Sequence, residues 1–278
     1  MRRLLVASFL FNTAFLYCCV AWAWGPDGHA IVAELAQRRL EPHAAREVAR
    51  LLGRGASLAS ISMWADDVRD ERPETGNWHF VDIPGDSARY DPVRDCRPTP
   101  RGDCIVAALD RVRDALGCAN DIAARREALR LAVHLVADVH QPFHAIGDER
   151  GGNDVRVELA FHPLKCPRCA ARHGRENLHA TWDSTLIAAT AKNWGAYVAR
   201  LEERRLADAA TRPGSGSPVQ WAEEAHAAAR QMRAALAGGV VDDAYYAKAL
   251  PVLDRQLALA GVRLASFLNT NLTRRCAF

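Results

Sequence analysis

The chain has 278 residues, a length that accommodates one domain with a sizeable hydrophobic core. Its 36 Lys and Arg against 33 Asp and Glu leave a formal net charge of only +3. This excludes a strongly basic surface that binds nucleic acid over its whole extent, so any polyanion must bind at a local site.

The first 23 residues have the pattern of a secretory signal peptide. Two arginines follow Met1, an apolar stretch covers residues 4–20, and Ala21-Trp22-Ala23 fits a cleavage site before Trp24. Losing both arginines lowers the net charge to about +1 (3 − 2). The apolar stretch is shorter than a spanning helix needs, and no later segment qualifies. We therefore expect an exported protein, periplasmic or secreted, without a membrane anchor.

The rest of the chain, residues 24–278, shows mainly helical periodicity. Alternating apolar and polar residues at 155–161 predict a short strand or hairpin, residues 77–84 an extended piece, and residues 85–103 a surface loop. The last predicted helix is interrupted at Pro251, and a flexible link covers residues 214–217. The predicted helices cover residues 28–40, 44–52, 58–68, 105–116, 122–140, 178–190, 192–206, 218–237 and 241–270. The expected fold is a single compact all-α domain with a short β-hairpin.

Six cysteines remain after the signal, and an even number in an exported protein suggests three disulfides. Cys96 with Cys104 would close a small loop, and Cys118 with Cys276 follows by elimination. Cys166 and Cys169 form either a disulfide, which an oxidising compartment favours, or a Cys2His2 zinc site with His162 and His173.

The stretch from His134 to His144 organises the chain. His134 and Asp138 are four residues apart, so they project from one face of an apolar, buried helix. Pro142 should end that helix and release His144 toward a neighbouring centre. A local hydrogen-bonded pair is the alternative to a metal site, because buried polar groups need partners of some kind.

Similar polar residues recur along the chain, including a second pair at spacing four, His179 and Asp183. Imidazole and carboxylate groups together suit zinc. The set comprises Asp66, His79, His134, Asp138, His144, His179 and Asp183. Seven side chains are more than one tetrahedral ion can use.

Several ordered motifs resemble the zinc-dependent, single-strand-specific nuclease family of fungi, plants and bacteria. The resemblance extends from Trp24 to about Leu186, and the last third of the chain matches only as generic helix. The motifs are Trp24-Gly-Pro-Asp-Gly-His29, Trp-Ala-Asp66, His79-Phe-Val-Asp82, His134-x3-Asp138-x-His-Gln-Pro-x-His144, Gly151-Gly-Asn153-Asp and Asn177-Leu-His179-x3-Asp183.

The resemblance implies three zinc ions in a cleft of a helical fold. The third ion would use the free amino nitrogen and carbonyl oxygen of Trp24, and an α-amino group titrates low enough for a metal to displace its proton. The implied ligand sets are Asp66, His79, His134 and Asp138 for one ion; His144, His179 and Asp183 for a second; and Trp24, His29 and a bridging Asp138 for the third.

The resemblance also implies the chemistry. Asp66 would orient a water attacking phosphorus, while Arg69 would neutralise the charge of the pentacoordinate state. Phe80 would stack on an unpaired base whose edge Asp82 and Asn153 would hydrogen-bond. Expected substrates are single-stranded DNA, RNA and 3′-nucleotides, cleaved to 5′-phosphorylated fragments or, from 3′-nucleotides, free phosphate. We expect a monomer without a stable protein partner.

Structural roles compete with these assignments for some residues. Phe80 and Trp182 could equally be core residues, and Arg69 could be a solvated helix charge. His140 lies off the face of Asp138 and is assigned a structural or supporting role. His43 and His226 are predicted to face solvent.

Two other functions compete with the nuclease. A zinc phospholipase C has a related fold with an N-terminal Trp and three zinc ions. Such enzymes, however, use Glu where Asp183 stands, and they space the first His further from the Trp than His29. A non-enzymatic zinc-binding protein would have little use for Phe80, Asp82 and Asn153 beside the ligands.

Overall fold

The computed structural model describes residues 24–162, 176–206 and 216–273. The predicted signal peptide, the first two residues of the predicted link at 214–217, and Cys166, Cys169, His173 and Cys276 lie outside the described residues. The α-helices are α1 (Pro26–Gln37), α2 (Pro42–Leu52), α3 (Trp64–Asp67), α4 (Pro92–Asp95), α5 (Ile105–Cys118), α6 (Ile122–Asp138), α7 (Leu178–Ala180), α8 (Leu186–Thr190), α9 (Trp194–Leu201), α10 (Pro218–Ala235) and α11 (Asp243–Asn271). Within the described ranges, each helix is too short or too polar to cross a membrane.

Shorter helical segments connect these elements. A π-helical segment, Thr181–Thr185, joins α7 to α8, and another, Glu202–Leu206, follows α9. Single 3₁₀ turns cover Ala59–Ile61, Pro73–Thr75 and Pro142–His144. The helical fold class predicted from the sequence is confirmed.

Helix α6 runs through the core of the domain. Every residue from Leu131 to Asp138 is buried. Helices α1 and α11 pack closely against each other, since a Cβ added to Gly261 would lie 2.5 Å from the Cβ of Leu35. Because the end of α6 is buried on all sides, its polar side chains need partners inside the protein.

A small three-stranded sheet lies beside the helices, with strands β1 (Arg156–Ala160), β2 (Glu176–Asn177) and β3 (Val240–Asp242) in the order β2-β1-β3. The antiparallel pair β1–β2 confirms the predicted hairpin, with Val157 opposite Glu176. The parallel strand β3, with Val240 opposite Glu158, was not predicted. The sequence places part of it in the last predicted helix, because three residues carry too little periodicity to reveal a strand.

Several predicted elements differ from the structure. The helix expected at 58–68 is divided into a 3₁₀ turn and α3, and the extended piece at 77–84 contains turns and irregular backbone. Pro251 lies inside α11 without interrupting it. The carbonyl that loses its partner belongs to Ala247, an exposed residue, so water can replace the missing N–H.

The predicted disulfide between Cys96 and Cys104 is formed. It ties the loop at 85–103 to the beginning of α5, which starts at Ile105. The other two predicted pairings involve cysteines outside the described residues.

Candidate metal centre

The fold brings the predicted ligand side chains together in the core. Three groups of His and Asp have ligand atoms within 4.8 Å of one another. The contributing residues are His29 from α1, Asp66 from α3, His79 from the following loop, His134 and Asp138 from α6, His144 from a 3₁₀ turn, His179 from α7 and Asp183 from the π-helical segment. The helical pairs at spacing four share one face, as predicted.

The first group surrounds one oxygen of Asp138. Its Oδ2 lies 3.0 Å from Nδ1 of His79 and 3.1 Å from Nε2 of His134. Oδ1 of Asp66 lies 3.6 Å from each of these nitrogens. Ligands of a tetrahedral zinc ion at 2.0–2.1 Å are about 3.3 Å apart, so these separations fit one ion.

The second group contains His144, His179 and Asp183. Nε2 of His179 is 3.4 Å from Oδ2 of Asp183, and Nε2 of His144 is 4.0 Å from its Oδ1. Each imidazole is oriented by its other nitrogen, since Nδ1 of His144 donates to the carbonyl of His79 at 2.8 Å and Nδ1 of His179 to that of Gly151 at 2.7 Å. This arrangement directs both Nε2 atoms toward the carboxylate.

The third group consists of His29, Asp138 and His134, which also belongs to the first group. Oδ1 of Asp138 is 3.3 Å from Nε2 of His29. Trp24 is fully buried nearby, and its indole Nε1 donates to the carbonyl of Ala137 at 2.9 Å. The backbone N–H of Gly25 donates to the carbonyl of Asp183 at 2.8 Å. These contacts fix the main chain at residue 24 beside the last turn of α6.

Buried polar atoms without hydrogen-bond partners concentrate in this region. Among the described residues, six of the eleven such atoms belong to the candidate ligands: Nδ1 and Nε2 of His29, Oδ2 of Asp66, Oδ1 of Asp138, Nε2 of His144 and Nε2 of His179. An unsatisfied buried polar atom costs about 1–3 kcal/mol. A divalent cation would satisfy several of them at once, so the residues present fit a metal centre.

The protonation states agree with this assignment. Burial lowers the pKa of His144 to about 3 and that of His179 to about 4, which keeps both imidazoles neutral and able to bind metal. Burial also lowers the pKa of His134, but the carboxylates of Asp138 and Asp66 outweigh it and raise the value to about 9. A cation would take over the role of that proton.

The same buried carboxylates also change the pKa of Asp183. Burial, and then the charges of Asp138 and Asp66, raise its pKa well above the ordinary range. Positive charge in the centre would relieve this repulsion.

A cleft of about 280 Å³ opens beside the second group. Its walls include Arg69, Phe80, Asp82 and Asn153, so all predicted substrate-binding residues share one cavity. Phe80 is half-buried, Nη2 of Arg69 donates to the carbonyl of Gly76 at 2.8 Å, and Asp82 is exposed to the opening.

Sequence reasoning missed the role of Gln141. Its Nε2 donates to Oδ1 of Asp183 at 2.5 Å, and its Oε1 accepts from the backbone N–H of Phe143. A buried amide thus orients one ligand and supports the turn that carries His144. The only signal was its position immediately before Pro142.

The structure also settles several predicted supporting roles. His140 is buried, donating from Nδ1 to the carbonyl of Val136 and accepting from Arg263, as its structural assignment requires. Trp182 is a core residue, whose Nε1 donates to the hydroxyl of Tyr245. His43 is exposed, as predicted.

The solvent-facing assignment of His226 is wrong. Its two ring nitrogens lie 2.8 Å from the carbonyls of Ala145 and Ser87, and the residue is buried. The residue lies four positions after the buried Ala222, on the stripe of α10 that faces the core. That spacing was visible in the sequence.

Comparison with known proteins places this arrangement in context. The S1/P1 nuclease family matches residues 24–273. Nuclease P1 of Penicillium citrinum is 29% identical over 283 residues, covering 88% of this chain and 97% of that protein. Endonuclease 2 of Arabidopsis thaliana is 28% identical over 281 residues, covering 88% and 89%. Nuclease S1 of Aspergillus oryzae is 26% identical over 286 residues, covering 90% and 92%. These matches favour a nuclease over a phospholipase C.

Proposed function

The chain belongs to the S1/P1 nuclease family, and on that premise we propose that it is a zinc-dependent endonuclease that hydrolyses phosphodiester bonds of single-stranded DNA and RNA. The observation that carries the proposal is the set of three buried His/Asp groups beside a cleft walled by Arg69 and Phe80. We further propose 5′-phosphorylated products, release of phosphate from 3′-nucleotides, and export of the protein to the periplasm or the medium.

Three zinc ions are proposed, one for each group. One group consists of Asp66, His79, His134 and Asp138; the second of His144, His179 and Asp183; the third of His29, Asp138 and the amino nitrogen and carbonyl oxygen of Trp24. The two oxygens of Asp138 support a bridging role, since Oδ2 faces His79 and His134 while Oδ1 faces His29. When bound, the ions would supply an activated water and neutralise phosphate charge.

The chain's own residues position the reacting groups. Oδ2 of Asp66 is buried without a hydrogen-bond partner among the described residues, so it can accept a proton from the attacking water and orient its lone pair. Arg69 stands in the wall of the cleft, where its guanidinium would neutralise charge developing on the phosphate oxygens. Its bond to Gly76 limits the movement of the side chain.

Selection of single strands would come from Phe80, which lines the same cavity as Arg69. Phe80 can stack on a base only if that base is unpaired, and stacking tolerates every base because each has a π-face. Asp82 and Asn153 lie in the same cavity, where they can hydrogen-bond the edge of the stacked base. The Nδ2 of Asn153 donates to the carbonyl of Arg150 at 2.9 Å, which holds its amide in place.

The test is direct hydrolysis by protein that begins at Trp24. Single-stranded DNA, RNA and phosphatidylcholine are incubated side by side, with and without chelator. We expect cleavage of both nucleic acids that chelator abolishes and added zinc restores. Lipid cleavage alone would overturn the proposed substrate while leaving the metal centre, and cleavage that persists in chelator would overturn the dependence on zinc.

A further inference from the structure

The turn Glu149–Gly152 is strained. Its four residues have φ values of 51°, 52°, 64° and 78°, all in the left-handed region. Glycine adopts such values readily, but Glu149 and Arg150 carry a Cβ and pay for it in free energy. Strain of this kind persists only where the surrounding structure imposes it, and it concentrates at functional sites.

This turn supports a candidate metal ligand. The carbonyl of Gly151 accepts a hydrogen bond of 2.7 Å from Nδ1 of His179, which fixes the ring and directs Nε2 toward Asp183. A Cβ added to Gly151 would lie 2.5 Å from the carbonyl oxygen of Phe143, so the turn packs directly on the segment that carries His144. A change in the turn would therefore move His179.

An ion pair from a distant helix holds the turn. Nε of Arg233, on α10, donates to one carboxylate oxygen of Glu149 at 2.7 Å, and its Nη2 donates to the other at 2.8 Å. Such a two-pronged pair fixes direction as well as distance. It also lowers the pKa of Glu149, so the carboxylate is charged at neutral pH.

Next to the ion pair, the turn borders a cavity of about 190 Å³ walled by Phe143, Glu149, Gly152 and Arg233. The strained backbone can move into this cavity when the ion pair is lost. The pair thus spans a gap that side-chain packing does not fill.

We propose that Arg233 is a positioning residue for the metal site formed by His144, His179 and Asp183. Its pairing with Glu149 keeps the turn left-handed, and the turn keeps His179 in its ligating orientation. The inference rests on the proposed zinc-binding function and deepens it, because it makes one of the three sites depend on an ion pair that touches no ligand.

The experiment measures zinc per chain and zinc affinity in Arg233→Ala, Glu149→Ala and the double variant, using full-length mature protein. The exposed Arg230→Ala, three residues earlier on α10, is the matched control. Loss of a partner that orients a ligand typically weakens metal affinity 10- to 100-fold. We expect that loss for one zinc ion only, no further loss in the double variant, and recovery in the swapped pair Arg233→Glu with Glu149→Arg.

Several results would overturn the proposal. One is that Arg233→Ala binds zinc at every site as tightly as the wild type, and another is that it loses zinc affinity equally at all three sites. The same loss of zinc affinity in Arg230→Ala, or no recovery of zinc affinity in a folded swapped pair, would also contradict it. Circular dichroism and thermal unfolding of the zinc-free variants check folding, and Arg233→Lys, which keeps the charge but not the two-pronged geometry, provides a milder variant. If the wild-type protein binds no zinc, the proposed zinc-dependent function is refuted. If the wild-type protein binds zinc but the variants do not show the expected loss, only the role of Arg233 is refuted.

Discussion

Replacement of Asp138 by Ala tests the arrangement of the whole centre. The side chain is fully buried, and its two oxygens face different groups: Oδ2 lies 3.0 Å from His79 and 3.1 Å from His134, while Oδ1 lies 3.3 Å from His29. If the carboxylate bridges two ions, one substitution removes a ligand from both. The site at His144, His179 and Asp183 contains no atom of Asp138 and should keep its ion.

The size of the effect follows from the kind of contact that is lost. Removing a residue that only orients a metal ligand lowers metal affinity about 10- to 100-fold. Removing the ligand itself should therefore lower zinc affinity more than about 100-fold at each of the two sites. At about 1.4 kcal/mol per tenfold change, this is more than about 2.8 kcal/mol per site. Dialysis against low free zinc should then leave about one ion per chain instead of about three.

The assay is metal analysis of dialysed protein, accompanied by circular dichroism to confirm folding. Asp67→Ala removes an exposed carboxylate next to Asp66 and should leave all ions bound. Asp138→Asn keeps the shape of the side chain without its charge, and it should behave like Asp138→Ala. Loss of only one ion in folded Asp138→Ala would refute the bridge, and loss of none would refute Asp138 as a ligand.

Four further predictions follow from individual contacts. Residues added before Trp24 should remove one zinc ion and most nuclease activity; full activity would discard the amino-terminal ligand. Phe80→Ala should raise KM for single-stranded oligonucleotides roughly 5- to 150-fold, from about 1–3 kcal/mol of lost stacking, without affecting a phosphodiester that lacks a base. Burial and Arg263 lower the pKa of His140 to about 3, below its unfolded value of about 6.5. Burying the neutral imidazole therefore stabilises the fold above about pH 6.5, and this stabilisation is lost as pH falls toward 3. In urea titrations, the wild-type protein should lose about 2 kcal/mol more stability between pH 7 and pH 5 than the His140→Gln variant does. Finally, His226→Leu leaves at least one of the two carbonyls beside the ring without a donor and should destabilise the fold by about 1–3 kcal/mol in the same titrations, whereas His43→Leu at an exposed position should not.

Local spacing was sufficient to predict the face of each helical pair. His134 with Asp138, and His179 with Asp183, needed only the period of a helix to be placed side by side. Pro142 likewise predicted the end of α6 and the separate direction of His144. The assignment of ligands to particular ions came from the ordered motifs and remains a prediction.

The supporting contacts could not be predicted in this way. Gln141 reaches Asp183 across 42 residues, and Arg233 reaches Glu149 across 84. Such pairs depend on how the helices pack, which no local period encodes. The left-handed backbone at Gly151 and Gly152 extends to the two non-glycine residues before them, which no feature of the sequence indicated.

Packing around residue 24 would link the proposed cleavage before Trp24 to the metal centre. The indole of Trp24 is anchored on Ala137, the neighbour of Asp138, and the next residue, Gly25, donates to the carbonyl of Asp183. These contacts use the side chain and the following peptide, so they hold whether or not anything precedes Trp24. What cleavage would change is only the nitrogen: an amide nitrogen has no lone pair to offer a metal, whereas a free α-amino group does and loses its proton near pH 8. Cleavage before Trp24 would therefore complete a site whose geometry the rest of the fold has already fixed.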